Sequence, residues 1–231
     1  MRIAANTTVQ GVQRFVRYVY GPADSRFFGP DELLSNVLRF TMRGLKGIRK
    51  GDQDKAALNL VISFAWFVSL MNTLDVDILK ETWRLFPGIC PYCRSAPCKG
   101  KQCKKRGGTR VPDLSRSAHG RRPTTLTGLQ LMFNRIYPAS ARGLYQAGIH
   151  LAEEVGELVE SFLAYKGTHK DKDFDNVIVE SIDYLSCLLG TFSSLQVRLS
   201  RELAASFSNN CHVCHLLPCK CSFDTIVGFT S

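Results

Sequence analysis

Two short stretches of the sequence place acidic side chains at helix spacing. In HLAEEVGELVESF (150–162) Glu154 and Glu157 stand three apart, and in VIVESIDYLSCLLG (177–190) so do Glu180 and Asp183. Residues three apart share a helix face, so each stretch presents two carboxylates side by side. The second pair lies among Val177, Ile178, Val179, Ile182, Leu185, Leu188 and Leu189. Carboxylates left uncompensated in apolar surroundings are costly, and two so close also repel. A hard divalent cation relieves both penalties, because Mg²⁺ takes oxygen ligands. The expected chemistry is a Mg²⁺ (or Mn²⁺) site made by Glu154, Glu157, Glu180 and Asp183. For the first pair alone, a solvated helix face is the competing reading.

Eight of the nine cysteines fall in two clusters, Cys90, Cys93, Cys98, Cys103 and Cys211, Cys214, Cys219, Cys221. Cys-x-x-Cys spacing lets two thiolates share one tetrahedral ion, and four thiolates close a structural zinc site. The expectation is about two Zn²⁺ per chain. An iron–sulfur cluster is the alternative, and disulfides the third option, with no secretory signal read at the N-terminus. His212 and His215 could compete as ligands, and Cys187 reads as a small core residue.

These groups need elements to hold them, and the sequence supplies the elements twice. VQGVQRFVRYVYG (9–21) matches LTGLQLMFNRIYP (126–138) at Gly11/Gly128, Gln13/Gln130 and Tyr20/Tyr137, and CPYCRSAPC (90–98) matches CHVCHLLPC (211–219). The reading is a tandem duplication. Repeat one spans 1–104, a basic linker 105–124, and repeat two 125–231. Each repeat predicts a short helix, a second helix, a polar turn, a long apolar helix (55–85 and 174–207) and a closing cysteine knuckle. No period-2 strand pattern of any length occurs, so the expected class is all-α. Repeat one also serves as a control. At an offset of 121, Glu180 and Asp183 fall on Asn59 and Ile62, while Glu154 and Glu157 fall on Leu33 and Asn36. The repeated helix therefore exists without the acids.

LAEEVGELVE followed by VESIDYL resembles the MazG-like all-α nucleoside triphosphate pyrophosphohydrolases, relatives of the dimeric dUTPases, whose motif is Glu-Glu-x-x-Glu and then Glu-x-x-Asp. Glu153, Glu154, Glu157, Glu180 and Asp183 match it residue by residue. The resemblance covers about 128–203. It implies Mg²⁺-dependent hydrolysis of a nucleoside triphosphate to the monophosphate and pyrophosphate. It assigns Glu153 a supporting or general-base role. Lys166, Lys170 and Lys172 in the following turn are then candidates for phosphate contact, with a solvated charged loop as the competing reading, and Gln130 and Asn134 for reading the base. The family builds its sites from paired subunits, so a duplicated chain would be its own pseudo-dimer with one live and one dead site, and a homo-oligomer is open. The knuckles depart from the family pattern.

The formal charge of +10 is concentrated. Between Lys99 and Arg122 there are nine Lys/Arg against one Asp. This Gly/Ser/Arg-rich segment reads either as a solvated linker or as an arm for nucleic acid. It motivates an alternative function, a zinc-stabilised nucleic-acid-binding or adaptor protein with a nucleotide-sensing pocket. ALNLVISFAWFVSLM (57–71) is read as a buried helix rather than a membrane span, and the expected location is cytoplasmic.

Overall fold

A computed structural model describes residues 2–100, 103 and 121–230. Among these the protein is all-helical, with no strand. The helices are α1 (Val9–Phe27), α2 (Pro30–Lys50), α3 (Gln53–Thr73), α4 (Ile78–Leu85), α5 (Leu126–Ile136), α6 (Leu144–Thr168), α7 (Asp171–Ser194), α8 (Leu199–Ser206) and α9 (Phe223–Gly228), with a 3₁₀ turn at Ala139–Ala141.

The long apolar helices expected over 55–85 and 174–207 are each broken in two. The breaks carry a non-glycine residue in the left-handed region, Asp75 (φ 54°) and Gln196 (φ 59°). Leu74 and Leu195 close α3 and α7 with the same bonds, their N–H groups donating back to Leu70 O and Thr191 O. A left-handed residue ends an α-helix wherever it occurs, and apolar periodicity alone does not show it.

The breaks also decide how the chain is partitioned. It forms two compact units, Met1–Asp77 with Val197–Ser231, and Ile78–Gln196. The boundaries expected at 1–104 and 125–231 are therefore not those of the compact units. The first unit holds α1, α2 and α3 with α8, α9 and the Cys211 loop, and the second holds α5, α6 and α7 with α4 and the Cys90 loop. Most of the expected linker, including Lys105 and Arg106, lies outside the described residues, as does Lys104 before it.

In the first unit α3 packs on α1, α2 and α8. It is the one described helix long and apolar enough to cross a membrane, and 78% of that apolar window is buried inside the fold. Small residues let α2 come close: a Cβ on Gly47 would stand 2.7 Å from the Ala56 nitrogen, and one on Gly44 2.6 Å from Leu60. In the second unit α7 packs on α4, α5 and α6. The α6 stripe Leu151, Val155, Leu158 and Phe162 is buried, the i, i+4, i+7, i+11 positions of one face.

The identities shared by the two matched sequence stretches are framework. Gly11 and Gly128 donate their N–H groups to the N-cap hydroxyls of Thr8 (3.1 Å) and Thr125 (3.0 Å). A Cβ at either would meet Thr7 at 2.8 Å or Pro123 at 2.9 Å. Gln13 ties α1 to the end of α3 through Asn72 Oδ1 (3.2 Å) and Val76 O (2.9 Å), and Gln130 ties α5 to Ser193 at the end of α7 (3.4 Å).

Candidate functional site

The hairpin α6–α7 positions the acids. His169 (φ 53°) turns the chain after α6, and Lys170 leads directly into α7. The two helices then run antiparallel, with the Thr191 hydroxyl donating to Ala147 O at 3.4 Å. This register brings one carboxylate oxygen each from Glu154, Glu157 and Glu180 within 4.8 Å of one another. Glu157 is exposed and the other two half-buried, so the cluster opens to water. Asp183 falls outside this three-oxygen group and faces the cavity beside Glu154. Glu153 is exposed. The acids thus sit where the buried stripe meets the surface, less enclosed than their apolar sequence neighbours suggest.

Beside the acids lies a cavity of ≈ 380 Å³, within the size range of small-molecule sites. One wall comes from α6 and α7: Gln146, His150, Glu154, Asp183 and Cys187, with Arg142 just before α6. The other comes from Phe86, Tyr92, Tyr137 and the first cysteine loop. Arg142 is placed by its surroundings. Its Nη2 donates to Tyr137 O at 3.5 Å, its guanidinium lies over the Tyr137 ring at 5.8 Å, and the bare α-carbon of Gly190 leaves room beside it. Burial first, and then the Glu154 charge, push the Cys187 thiol up, while Arg142 pulls the other way. Burial first, and then the Cys90 sulfur, push the Tyr137 phenol up. Cys187 is therefore a neutral thiol on the cavity wall.

Several expected contact residues stand elsewhere. Lys166, Lys170 and Lys172 are on the hairpin turn and do not line the cavity. Gln130 is the helix tie described above. Asn134 accepts the Ala139 N–H at 2.9 Å and shapes the turn after α5. The residues missed by the sequence reading are Arg142, Gln146, His150, Tyr92 and Tyr137. Gln146 and His150 precede Glu154 by eight and four positions, on the same helix face, a signal that was legible.

The cysteine loops are closed sulfur clusters. In each, all four sulfurs lie within 4.8 Å of one another. Cys90–Cys103, Cys93–Cys98 and Cys211–Cys221 Sγ pairs are each 3.8 Å apart. A disulfide requires about 2.0 Å. Thiolates at about 2.3 Å from a tetrahedral Zn²⁺ stand about 3.8 Å apart. Thiolates bound to different irons of a cluster would be held further apart, with the cluster between them.

Both loops share backbone detail, including left-handed Arg94 and His215 and cis peptides at Ala96–Pro97 and Leu217–Pro218. Backbone N–H groups of Lys99 and Lys220 point at Cys93 and Cys214. Burial of Cys93 is outweighed by donors from Ser95 and the Lys99 N–H, which bring its thiol down to about 6. The hydrogen bond from Cys219 holds Cys211 at about 4, and Cys219 is pushed up in return. One thiolate forms easily in such a set, and only a central cation lets the other thiols follow. His212 is not one of the sulfur ligand sets: its Nδ1 meets the Tyr20 hydroxyl at 3.0 Å. His215 is exposed.

Comparison with protein-family models, curated proteins and solved structures gives no match to this chain.

Proposed function

We propose that the protein is a Mg²⁺-dependent nucleotide pyrophosphohydrolase of MazG-like type, working from the α6–α7 hairpin and stiffened by a Zn²⁺ in each cysteine loop. The observation that carries this reading is the convergence of Glu154, Glu157 and Glu180 from two helices at the rim of a ligand-sized cavity. These three carboxylates would hold the divalent ion, with Asp183 reaching the cavity side of the same cluster. When bound, Mg²⁺ offsets phosphate charge and makes water a better nucleophile.

The chain's own groups divide the remaining work. Arg142 supplies a fixed positive charge for phosphate oxygens. Phe86, Tyr92 and Tyr137 offer ring surface for a base or sugar. Gln146 and His150 offer hydrogen bonds. Water adds to the triphosphate, a P–O–P bond breaks, and pyrophosphate leaves the nucleoside monophosphate. Glu153, exposed one position off the ligating face, can take the proton from that water only through an intervening water.

In this reading the chain is a tandem duplication in which repeat one is a degenerate copy. The matched caps, helix breaks and sulfur loops support it. So does the first unit, where the site's counterpart is filled. Ile62 and Trp66 occupy the positions of Asp183 and Cys187, 121 residues earlier. With Phe229 they line a remnant of only ≈ 40 Å³. Arg39 Nη2 donates to Val227 O (2.9 Å) and Phe229 O (2.7 Å), holding that C-terminal segment in place.

The test is turnover of a panel of ribo- and deoxyribonucleoside triphosphates with Mg²⁺, following pyrophosphate and monophosphate together. The expected result is release of both in equal amounts. Absence of turnover together with absence of Mg²⁺ binding would falsify the proposal.

A further inference from the structure

The first unit carries a second cavity, ≈ 470 Å³, with the opposite electrostatic character. It forms where α2 ends and α3 begins, and Arg43, Lys46, Lys50 and Lys55 converge on it. The convergence has a structural cause: Gly44 and Gly47 let α2 approach α3 closely, so cations on the two helices are brought to one space. Its one carboxylate, Asp52, is engaged as the N-cap of α3 and pairs with Lys55 at 3.5 Å. Among the described residues no carboxylate pairs with Arg43, Lys46 or Lys50. Asn59, buried, also lines the cavity.

Asn59 lies 121 positions before Glu180. The hairpin turns allow the α2 positions to be matched as well. Gly51 (φ 73°) and His169 (φ 53°) close α2 and α6 118 positions apart. Counted from these turns, Glu154 and Glu157 correspond to Asn36 and Arg39, where an offset of 121 gives Leu33 and Asn36. Arg43, Lys46 and Lys50 likewise correspond to Ser161, Ala164 and Thr168. The hairpin that bears acids in the second unit is thus basic in the first.

We infer that this cavity is an anion site for the phosphate groups of a nucleotide or polynucleotide. A concavity lined by one sign of charge focuses the field on an incoming counter-ion. Arg43 adds a planar donor fork suited to phosphate. No aromatic side chain lines the space, so nothing there stacks on a base, and recognition is of phosphate. The site stands independently of catalysis in the second unit.

The test is calorimetric titration in EDTA with sodium tripolyphosphate and, separately, with a short oligothymidylate. The variants are Arg43→Gln/Lys46→Gln/Lys50→Gln, the exposed single change Lys46→Gln, and Glu180→Gln. Both probes should bind the parent protein and Glu180→Gln alike. The triple variant should bind about tenfold or more weakly, and Lys46→Gln should flatten the salt dependence by close to one phosphate contact. Tighter binding of oligothymidylate identifies a polynucleotide backbone as the source of the phosphates; tighter binding of tripolyphosphate identifies a mononucleotide or polyphosphate. Failure of both probes to bind overturns the inference. So does binding that survives the triple variant, which would then belong to cations elsewhere in the chain, Arg142 or those between Lys99 and Arg122.

Discussion

The Tyr137 hydroxyl donates to Cys90 Sγ at 3.5 Å while Arg142 lies over the same ring at 5.8 Å. One side chain therefore joins the first sulfur cluster to the charged wall of the cavity. In the first unit the matching tyrosine, Tyr20, lies against Cys211 but also meets His212 Nδ1 at 3.0 Å, beside a cavity that is nearly filled. The two sulfur clusters should differ accordingly in what their loss does.

Cys90→Ser and Cys211→Ser should each remove about one Zn²⁺ per chain and lower the melting temperature, since structural zinc binding contributes directly to folding. Only Cys90→Ser should also raise KM for the nucleotide. Metal analysis, thermal melts and steady-state kinetics on the same preparations check this. Equal KM values for the two variants would detach the first loop from the cavity.

Glu180→Gln keeps the side-chain volume and removes one of three converging carboxylates. Turnover should fall on the order of a hundredfold or more, with weaker Mg²⁺ dependence. In EDTA the variant should melt no lower than the parent, because like charges no longer face each other. A variant that unfolds in EDTA while retaining turnover would make Glu180 a structural partner and remove the metal reading.

Asp24, buried between α1 and α3, has its carboxyl pushed up to about 6 by burial, partly opposed by a hydrogen bond from Ser69. A raised carboxyl binds its proton more tightly in the folded state. Its stabilising effect is therefore complete below about pH 4 and is lost as pH rises through about 6. Asp24→Asn should be more stable than the parent at pH 7, by on the order of 2 kcal/mol, and the two should converge near pH 4. Urea melts at both pH values measure it; a gap that widens on acidification would reverse the sign.

Two glycines give a paired stability test. Gly47→Ala places a Cβ 2.7 Å from a backbone atom of α3, so the helices must separate, at a cost of about 1–3 kcal/mol. Gly156→Ala, on exposed α6 with nothing within 4 Å, should stabilise by about 0.5–1 kcal/mol. Denaturant midpoints should move in opposite directions.

The helical class and the i, i+3 spacing of Glu154 with Glu157 were legible because both depend on periodicity along single helices, whereas the approach of Glu180 depends on how α6 and α7 pack. The sulfur clusters were legible for the same reason. The repeat was read from Gly11/Gly128, Gln13/Gln130 and Tyr20/Tyr137, and these residues cap, tie and anchor helices. Reading Gln130 as a base contact mistook a repeated scaffold residue for a specific one. The cavity walls were hidden because Tyr92, Tyr137 and Arg142 come from three separate segments that only tertiary packing assembles. The helix breaks were hidden because Asp75 and Gln196 adopt left-handed geometry that neither residue type announces.

Those breaks fall where the chain passes from one compact unit to the other, near Asp77–Ile78 and Gln196–Val197. Neither repeat can therefore be excised intact. A fragment begun at 125 would keep α5–α7 but forfeit α4, the Cys90 loop and the aromatic wall they provide, and would carry α8 and the Cys211 loop with no host. Such a fragment should recover a complete fold only by trading tails with another chain. A single polypeptide supplies each tail at a fixed one-to-one dose, and makes an injury to either half of the sequence an injury to both units.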